Sequence, residues 1–298
     1  MNIYRTVLTG FLLLALSTSG LGQIPATSSA AERVSKTASP VSGSRLLDSV
    51  LSQSPITDFN YRTISNNAYK PGERLTYSIK YGLITAVNTE IIVAGDTTIR
   101  SRDCYRIQYK ARTVPVFDAF FKVDDKYESF IDKSGQFPMK FTRRIREGSY
   151  KADGDLEFFH DRGLVIAPKQ NKLYPIEPFT HDVLSAYFFV RTLDLRKHKK
   201  GDIITLKNFV KDKTHTLDVK FHGRDLIETD LGVFRTVMLE PLATDAGLFK
   251  SEGKIMIWLT DDENKIPVRI AIKVAVGSLK AEITSIQNNR HALTSKFE

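Results

Sequence analysis

The chain has 298 residues, of which 42% are hydrophobic, and a formal net charge of +9. A chain of this length can bury a sizeable core, and its single cysteine, Cys104, excludes an internal disulfide. No glycine-rich phosphate loop is present, which excludes nucleotide-dependent chemistry from the candidate functions. We expect Cys104, in a strand-like run, to be a half-buried packing residue.

The first 22 residues have the pattern of a secretory signal peptide. Arg5 supplies a positive charge, residues 7–16 are almost wholly apolar, and small and polar residues follow through Gly22. A transmembrane helix needs about 20 apolar residues. We therefore predict a cleaved signal peptide over residues 1–22 and no transmembrane span in the mature chain. Because no cysteine follows the apolar stretch, we expect an unanchored protein in the periplasm, at the periplasmic face of the outer membrane, or secreted.

Residues 23–54 are predicted to be a linker. Residues 23–44 consist largely of Ser, Thr, Ala and Pro, a composition that cannot bury enough apolar surface to order itself. A short amphipathic segment follows, which we expect to dock on the next domain. Its apolar residues are Leu46, Leu47, Val50 and Leu51.

Residues 55–288 are predicted to form a single mainly β domain, followed by a polar tail over residues 289–298. Residues 74–81 alternate between apolar and polar side chains, and residues 217–221 do the same. This alternation is typical of antiparallel sheets with one face buried.

The C-terminal part of this domain predicts a β-hairpin. Residues 268–276 and 279–283 both alternate, and Gly277 and Ser278 between them favour a turn. Asp261, Asp262 and the three residues after them are expected to form a polar turn before this hairpin, because Asp and Asn favour turn positions.

One segment has the period of a helix instead. Thr180 is the predicted N-cap, and Asp182 is placed in the first turn. The basic residues 196–200 and Gly201 are expected at the C-terminal end. We expect this helix to lie across the concave face of a curved sheet. Its periodic residues are Val183, Leu184, Tyr187, Phe188, Val190 and Arg191.

Three motifs occur in an order that resembles a known family. They are Pro71-Gly72-Glu73, the helix segment Asp182-Val-Leu-Ser185-Ala-Tyr187 with Arg191, and Trp258-Leu-Thr-Asp261-Asp262 leading to Ile266-Pro267-Val268. Together they resemble the bacterial domain-of-unknown-function family 3108 over residues 59–286. The resemblance implies an exported, mostly antiparallel β protein of the Gram-negative envelope without assigned chemistry. It also suggests a half-barrel or open-barrel sheet, similar in outline to periplasmic carriers of lipids and lipoproteins.

No catalytic or metal-binding constellation is evident in the sequence. The six histidines lack the spacing of a zinc site, so we expect no metal and no cofactor. His181, Asp182 and Ser185 are the residue types of a catalytic triad, but helical spacing cannot align them as a relay. Ser185 also lacks the Gly-x-Ser-x-Gly context of a nucleophile elbow. The sequence thus favours a non-catalytic role and leaves the question of enzymatic activity open.

Positive charge is the one indication of a partner. Without Arg5 the basic residues outnumber the acidic ones by eight. In the envelope the available anions are lipid headgroups and cell-wall polymers rather than nucleic acid. We therefore expect a lipid, a lipoprotein or another envelope component as partner, and we make no prediction of the oligomeric state.

Three functions stay open at this point. The first is a binding or carrier module for an apolar or lipid-like ligand, with the helix as plug or lid. The second is a structural or interaction protein of the envelope, and the third is a hydrolase acting on an envelope polymer. The candidate ligand-binding residues are Phe117, Phe120, Phe121, Tyr187, Phe188, Arg191 and Trp258.

Overall fold

The computed structural model describes residues 45–54, 56, 58–82, 84–243, 254–273 and 278–297. The predicted signal peptide over residues 1–22 and the Ser/Thr/Ala/Pro-rich segment 23–44 lie outside the described residues. Within the described ranges, no helix is long and apolar enough to cross a membrane.

The chain forms three α-helices and fifteen strands in the described ranges. The helices are α1 (Arg45–Leu51), α2 (Pro115–Asp118) and α3 (Val183–Thr192). The strands of the first half are β1 (Arg74–Tyr81), β2 (Ile84–Ile99), β3 (Arg102–Thr113), β4 (Asp124–Asp132), β5 (Pro138–Glu147), β6 (Tyr150–Phe159), β7 (Leu164–Ala167) and β8 (Lys172–Pro175). Those of the second half are β9 (Ile203–Val210), β10 (Lys213–Thr229), β11 (Gly232–Ala243), β12 (Ile255–Thr260), β13 (Pro267–Lys273), β14 (Ser278–Gln287) and β15 (Lys296–Phe297).

All the strands belong to one antiparallel sheet, as the alternating sequence predicts. The strand order runs from β8 back to β1, then from β14 back to β9, with β15 paired to β11. Two meanders are therefore joined where β1 pairs with β14, for example at Leu75 and Ile286. The sheet curls until its edge strands come close, and the rings of Tyr174 on β8 and Phe209 on β9 lie 5.5 Å apart. These edges do not pair, so the sheet is curved but not closed, and the predicted fold class is confirmed.

The alternating runs form strands at the predicted places. In β1, Leu75, Tyr77 and Ile79 point into the core and are buried. Strands β13 and β14 form the predicted hairpin, with Ile270 opposite Ala281. Residues 274–277, which include Gly277 of the predicted turn, lie outside the described residues, and Ser278 is the first residue of β14.

Helix α3 connects the two meanders and packs on the inner face of the sheet, but it is shorter than predicted. Its N-cap is Asp182, because Asp182 Oδ1 accepts a hydrogen bond from Ser185 N at 2.9 Å, and the prediction of Thr180 was wrong. Thr180 Oγ1 instead donates to Glu177 O at 2.7 Å. The helix ends at Thr192, so residues 196–200 and Gly201 do not end it. Asp194 starts a separate 3-10 turn by accepting from Arg196 N.

Helix α1 packs on the outer face of the sheet. Val50 is buried against Phe159 and Ile166, with Leu46 and Leu47 at the edge of the same cluster. Leu51 is 51% exposed and takes no part in it. One face of this short helix is thus anchored on β6 and β7.

Candidate functional site

The seven residues predicted as ligand contacts do not converge on one site. Tyr187, Phe188 and Arg191 lie on α3 in the interior, Phe117, Phe120 and Phe121 lie between β3 and β4, and Trp258 lies on β12. Each group has a different environment and is described in turn.

The residues on α3 are part of the core. Phe188 is fully buried, and its ring packs edge-on against Tyr69 with centroids 4.7 Å apart. Tyr187 is half-buried and packs against the ring of Phe188. The helix therefore fills the concave interior with its own side chains, which fits the predicted role of a plug.

Arg191 holds α3 to two distant segments of the chain. Its guanidinium forms a two-pronged ion pair with Glu73, at 2.6 Å for Nη1–Oε1 and 2.9 Å for Nη2–Oε2. Arg191 Nε and Nη2 also donate to Asn264 O, and both charged side chains are fully buried. Burial acts to lower the pKa of Arg191, but the Glu73 carboxylate raises it above its usual value. Paired in this way, Arg191 is a structural residue.

His181, Asp182 and Ser185 form a helix cap and no catalytic relay. Asp182 N donates to Ser185 Oγ at 2.9 Å, and Asp182 Oδ2 accepts from Ser129 Oγ at 2.6 Å. Arg62 Nη2 donates to His181 Nε2 at 3.1 Å, so Nε2 is the acceptor nitrogen. The protonated Nδ1 then faces Ser185 Oγ, and His181 cannot take a proton from Ser185.

The segment between β3 and β4 carries the most exposed aromatic ring among the predicted residues. Phe120 is 84% exposed, and Val116 on α2 is 70% exposed. Phe121 turns back onto the sheet, where a methyl group at Gly148 would lie 3.1 Å from its ring. Phe117 is half-buried. The three rings therefore differ in their exposure and in what they contact.

Trp258 packs at the surface of the sheet on β12. Its Nε1 donates to Asp225 Oδ2 at 3.3 Å, and it lies opposite Arg269 on β13. Five strands lie between β12 and β4 in the sheet, so Trp258 is far from the aromatic residues that precede β4.

A cluster that the prediction missed lies on the inner face of β5 and β6. The three arginines of β5 divide between the two faces of the sheet. Arg144 and Arg146 face outward and pair with Asp155 and Asp153, whereas Arg143 shares the inner face with the buried Phe141 and Ile145. The alternation of β5 was the signal for this cluster, because it places one cation in phase with apolar residues.

Arg143 extends over the neighbouring strand and makes no ion pair with any described residue. It lies directly opposite Gly154 in the β5–β6 register, and a methyl group at position 154 would sit 2.8 Å from Arg143 Nε. On its other side Arg143 faces Tyr127 of β4. The Tyr127 hydroxyl is buried and has no hydrogen-bond partner among the described residues. Burial raises the pKa of Tyr127, so its hydroxyl stays protonated and can donate.

Three inner positions of β6 are less buried than the interior around them. Tyr150, Ala152 and Leu156 alternate along the inner side of β6 and are half-buried, whereas Phe158 farther along is buried. We call the inner-face residues Arg143, Tyr150, Ala152, Gly154 and Leu156 the β5–β6 face. Apart from the Tyr150 hydroxyl and Arg143, which pairs with no acidic side chain in the described part of the chain, it is apolar, and it is partly open to solvent.

Two buried carboxyl groups lie beside the β5–β6 face. Asp125 and Glu147 interact through their side chains, and Asp125 Oδ1 accepts from Arg146 N at 2.8 Å. Burial, together with the charge of Glu147, raises the pKa of Asp125 to about 8, while the hydrogen bond from Arg146 acts in the opposite direction. Asp125 is therefore protonated near neutral pH.

Two other chemistries have no geometric support in the described part of the chain. No group of three or more His, Cys, Asp or Glu residues there is placed to hold a metal ion. Cys104 is fully rather than half buried, and burial raises the pKa of its thiol to about 12. A thiol in this state is not a nucleophile at neutral pH.

Comparison with known proteins gives a family and a set of distant structural relatives. The model of the family described as "Protein of unknown function (DUF3108)" matches residues 76–284. None of the curated proteins matches the chain in sequence.

The solved structures that are similar share little sequence. One is a β-barrel-like protein of the domain of unknown function DUF1849 from Brucella abortus, with 10% identity and a TM-score of 0.47, covering 76% of this chain and 99% of that one. Another is a proposed exported protein with a YmcC-like fold from Bacteroides fragilis, with 10% identity and a TM-score of 0.35, covering 76% and 100%. A third is a proposed lipoprotein from Parabacteroides distasonis, with 10% identity and a TM-score of 0.33, covering 76% and 100%.

Proposed function

The chain belongs to the DUF3108 family of proteins of unknown function. From its own residues we propose that it is a non-catalytic binding module of the bacterial envelope for an apolar, lipid-like ligand. The N-terminal pattern of a charge, an apolar stretch and small residues over positions 1–22 supports export. The ligand is proposed to lie on the β5–β6 face.

The observation that carries this proposal is the partial exposure of the β5–β6 face. Tyr150, Ala152 and Leu156 point to the same side of β6 as the buried Phe158, yet all three are half-buried. Ligand sites are typically concave and apolar with a few polar groups that fix orientation. A curved sheet with an apolar inner strand face and a single cation has these features.

The interior beneath α3 is not the proposed site. Phe188 and Leu184 are fully buried there, so a ligand would have to displace the helix. The β5–β6 face needs no such displacement, because its side chains are already in contact with solvent. We therefore propose that the ligand binds on β5 and β6 rather than at the residues of α3.

Native mass spectrometry with lipid extraction tests the proposal. The protein is expressed with its own N-terminal segment and purified gently from the bacterial periplasm. We expect a co-purifying acyl species at near one per chain. Repeated preparations that give only the apo mass, and that bind neither added fatty acid, lysophospholipid nor monoacylglycerol, would contradict the proposal.

A pair of leucine variants locates the ligand in the same experiment. Leu156→Asn places an amide on the β5–β6 face and should lose the ligand. Leu173→Asn makes the same change at an exposed position on β8 and should retain it. As a second variant, Ala152→Phe fills the half-buried face without removing any core side chain, and it should also exclude the ligand.

A second candidate function is an interaction protein of the envelope. The exposure of Phe120 and Val116 on one short segment favours it. This alternative expects Phe120→Ser to weaken association with an envelope protein while Leu156→Asn leaves it unchanged. If Leu156→Asn loses the co-purifying ligand and Phe120→Ser retains it, the binding module is supported.

A further inference from the structure

Two side chains that carry hydrogen-bond donors occupy facing positions on the inner surface of the sheet, the buried Tyr127 and the half-buried Arg143. Tyr127 and Arg143 are directly opposite each other in the β4–β5 register, so their side chains lie on the same face. The Tyr127 hydroxyl has no hydrogen-bond partner among the described residues, although it is buried. Arg143 has no ion pair with any of them, in contrast to Arg144 and Arg146 on the outer face.

Such a pair needs an explanation, because a buried polar group without a partner is costly. Leaving a buried hydroxyl unsatisfied costs about 1–3 kcal/mol, and such groups are rare in native proteins. Gly154 has no side chain, and the Arg143 side chain occupies the space that this leaves. The arrangement places a guanidinium and a phenol hydroxyl on the same face of the sheet, with Arg143 lying over β6 and Tyr127 on β4.

We propose that Arg143 and Tyr127 bind the anionic head group of an amphiphile whose hydrocarbon chain lies on the β5–β6 face. A guanidinium presents parallel N–H donors that match two oxygens of a carboxylate or phosphate. The Tyr127 hydroxyl supplies a further donor to the same anion. This inference rests on the proposed function and adds the chemistry of the ligand to it.

The acidic neighbours of the site do not prevent anion binding. Asp125 and Glu147 are buried carboxyl groups on the same inner surface, with Asp124, Tyr109 and Arg146 among the ionisable groups around them. The buried Asp182 carboxylate meets the inner face of β4 at Ser129, where it accepts a hydrogen bond from Ser129 Oγ. Asp125 is protonated near neutral pH and therefore adds no negative charge to this surface. Arg146 also pairs with Asp153 on the outer face.

Binding titrations with three probes of equal acyl chain length test this inference. The probes are myristate, myristoyl lysophosphatidylglycerol and monomyristoylglycerol, which carry a carboxylate, a phosphate and a neutral head group. We expect at least one anionic probe to bind more tightly than the neutral probe. The stronger of the two anionic probes identifies whether the head group is a carboxylate or a phosphate.

Two variants remove the donors singly, and one provides a matched control. Arg143→Met keeps the length of the side chain without its charge, and it should weaken the anionic probe about 10- to 100-fold, as expected for a hydrogen bond to a charged group. Tyr127→Phe removes only the hydroxyl and should weaken the same probe by up to about tenfold. Arg144→Met removes an outward arginine from the same strand and should leave the affinity unchanged.

The outcomes separate this inference from the proposed function. If the wild-type protein binds the neutral probe as tightly as both anions, or if Arg143→Met leaves anion affinity intact, the head-group assignment is wrong and the binding module stands. If the wild-type protein binds none of the three probes, both are wrong. Partial recovery of anion affinity in Arg143→Lys would show that charge at this position, rather than packing, is responsible.

Discussion

Arg143 lies across Gly154 on the inner face of the sheet, so closely that a methyl group at position 154 would sit 2.8 Å from Arg143 Nε. The backbone of Gly154 is not in the left-handed region, so alanine is conformationally allowed there. We expect Gly154→Ala to displace the flexible arginine with little loss of stability and to weaken binding of an anionic amphiphile. Thermal unfolding and a ligand titration on the same sample check both effects. Undiminished anion affinity in a folded Gly154→Ala protein would show that the position of Arg143 does not matter.

The buried pair of Arg191 and Glu73 gives a prediction about stability. Arg191→Met leaves the Glu73 carboxylate buried without its partner, which should lower the free energy of unfolding by about 3–5 kcal/mol. Arg196→Met, which removes a surface arginine paired with Asp194, should have little effect. Urea denaturation of both variants measures the difference. Equal and small effects would mean that the Arg191 pair is not held out of solvent.

The carboxyl pair gives a prediction about pH. The folded protein retains a proton on Asp125 up to about pH 8, whereas the unfolded chain loses it near the usual pKa of 3.8. Between these values the folded state binds more protons, so the free energy of unfolding should fall as the pH rises towards 8. Asp125→Asn cannot ionise and should remove this part of the pH dependence. Urea midpoints at pH 5 and pH 8 for both proteins measure it, and parallel changes in the two proteins would contradict the assignment.

Phe188 and Phe120 were both predicted as ligand contacts, but their replacement should affect stability differently. Phe188 is fully buried beneath α3, and Phe188→Ala should destabilise the protein by about 3–5 kcal/mol. Phe120 is 84% exposed, and Phe120→Ala should change stability by no more than about 0.5 kcal/mol. Chemical denaturation distinguishes the two cases. A large loss of stability for Phe120→Ala would show that the β3–β4 segment is packed rather than exposed.

The β architecture could be predicted from the sequence because alternation reports directly on a sheet with one buried face. Leu75, Tyr77 and Ile79 illustrate this, and the same rule holds for Ile270 and Ile272 in β13. The boundaries of α3 were harder to predict, because a cap depends on side-chain geometry. Thr180 and Asp182 are both suitable N-cap residues, and only Asp182 reaches the backbone N–H of Ser185.

The candidate site was missed because a ligand surface depends on contacts between strands. Phe188 and Arg191 are in a conspicuous helix, but the ion pair of Arg191 with Glu73 joins residues more than a hundred positions apart. Arg143 is not among the residues predicted to bind a ligand. Its separation from Arg144 and Arg146 follows from the alternation of β5, whereas its proximity to Tyr127 and Gly154 follows from strand register. Register is set by tertiary packing and turns, which a single sequence does not specify.

Hydrogen–deuterium exchange with and without myristate tests the location of the ligand most directly. The backbone amides of residues 141–156 should exchange more slowly in the presence of the ligand, because β5 and β6 are then covered and held. Helix α3 should change little, since it is already buried. Protection confined to α3 or to residues 115–121, with no change in β5 and β6, would contradict the proposal that the β5–β6 face is the binding surface.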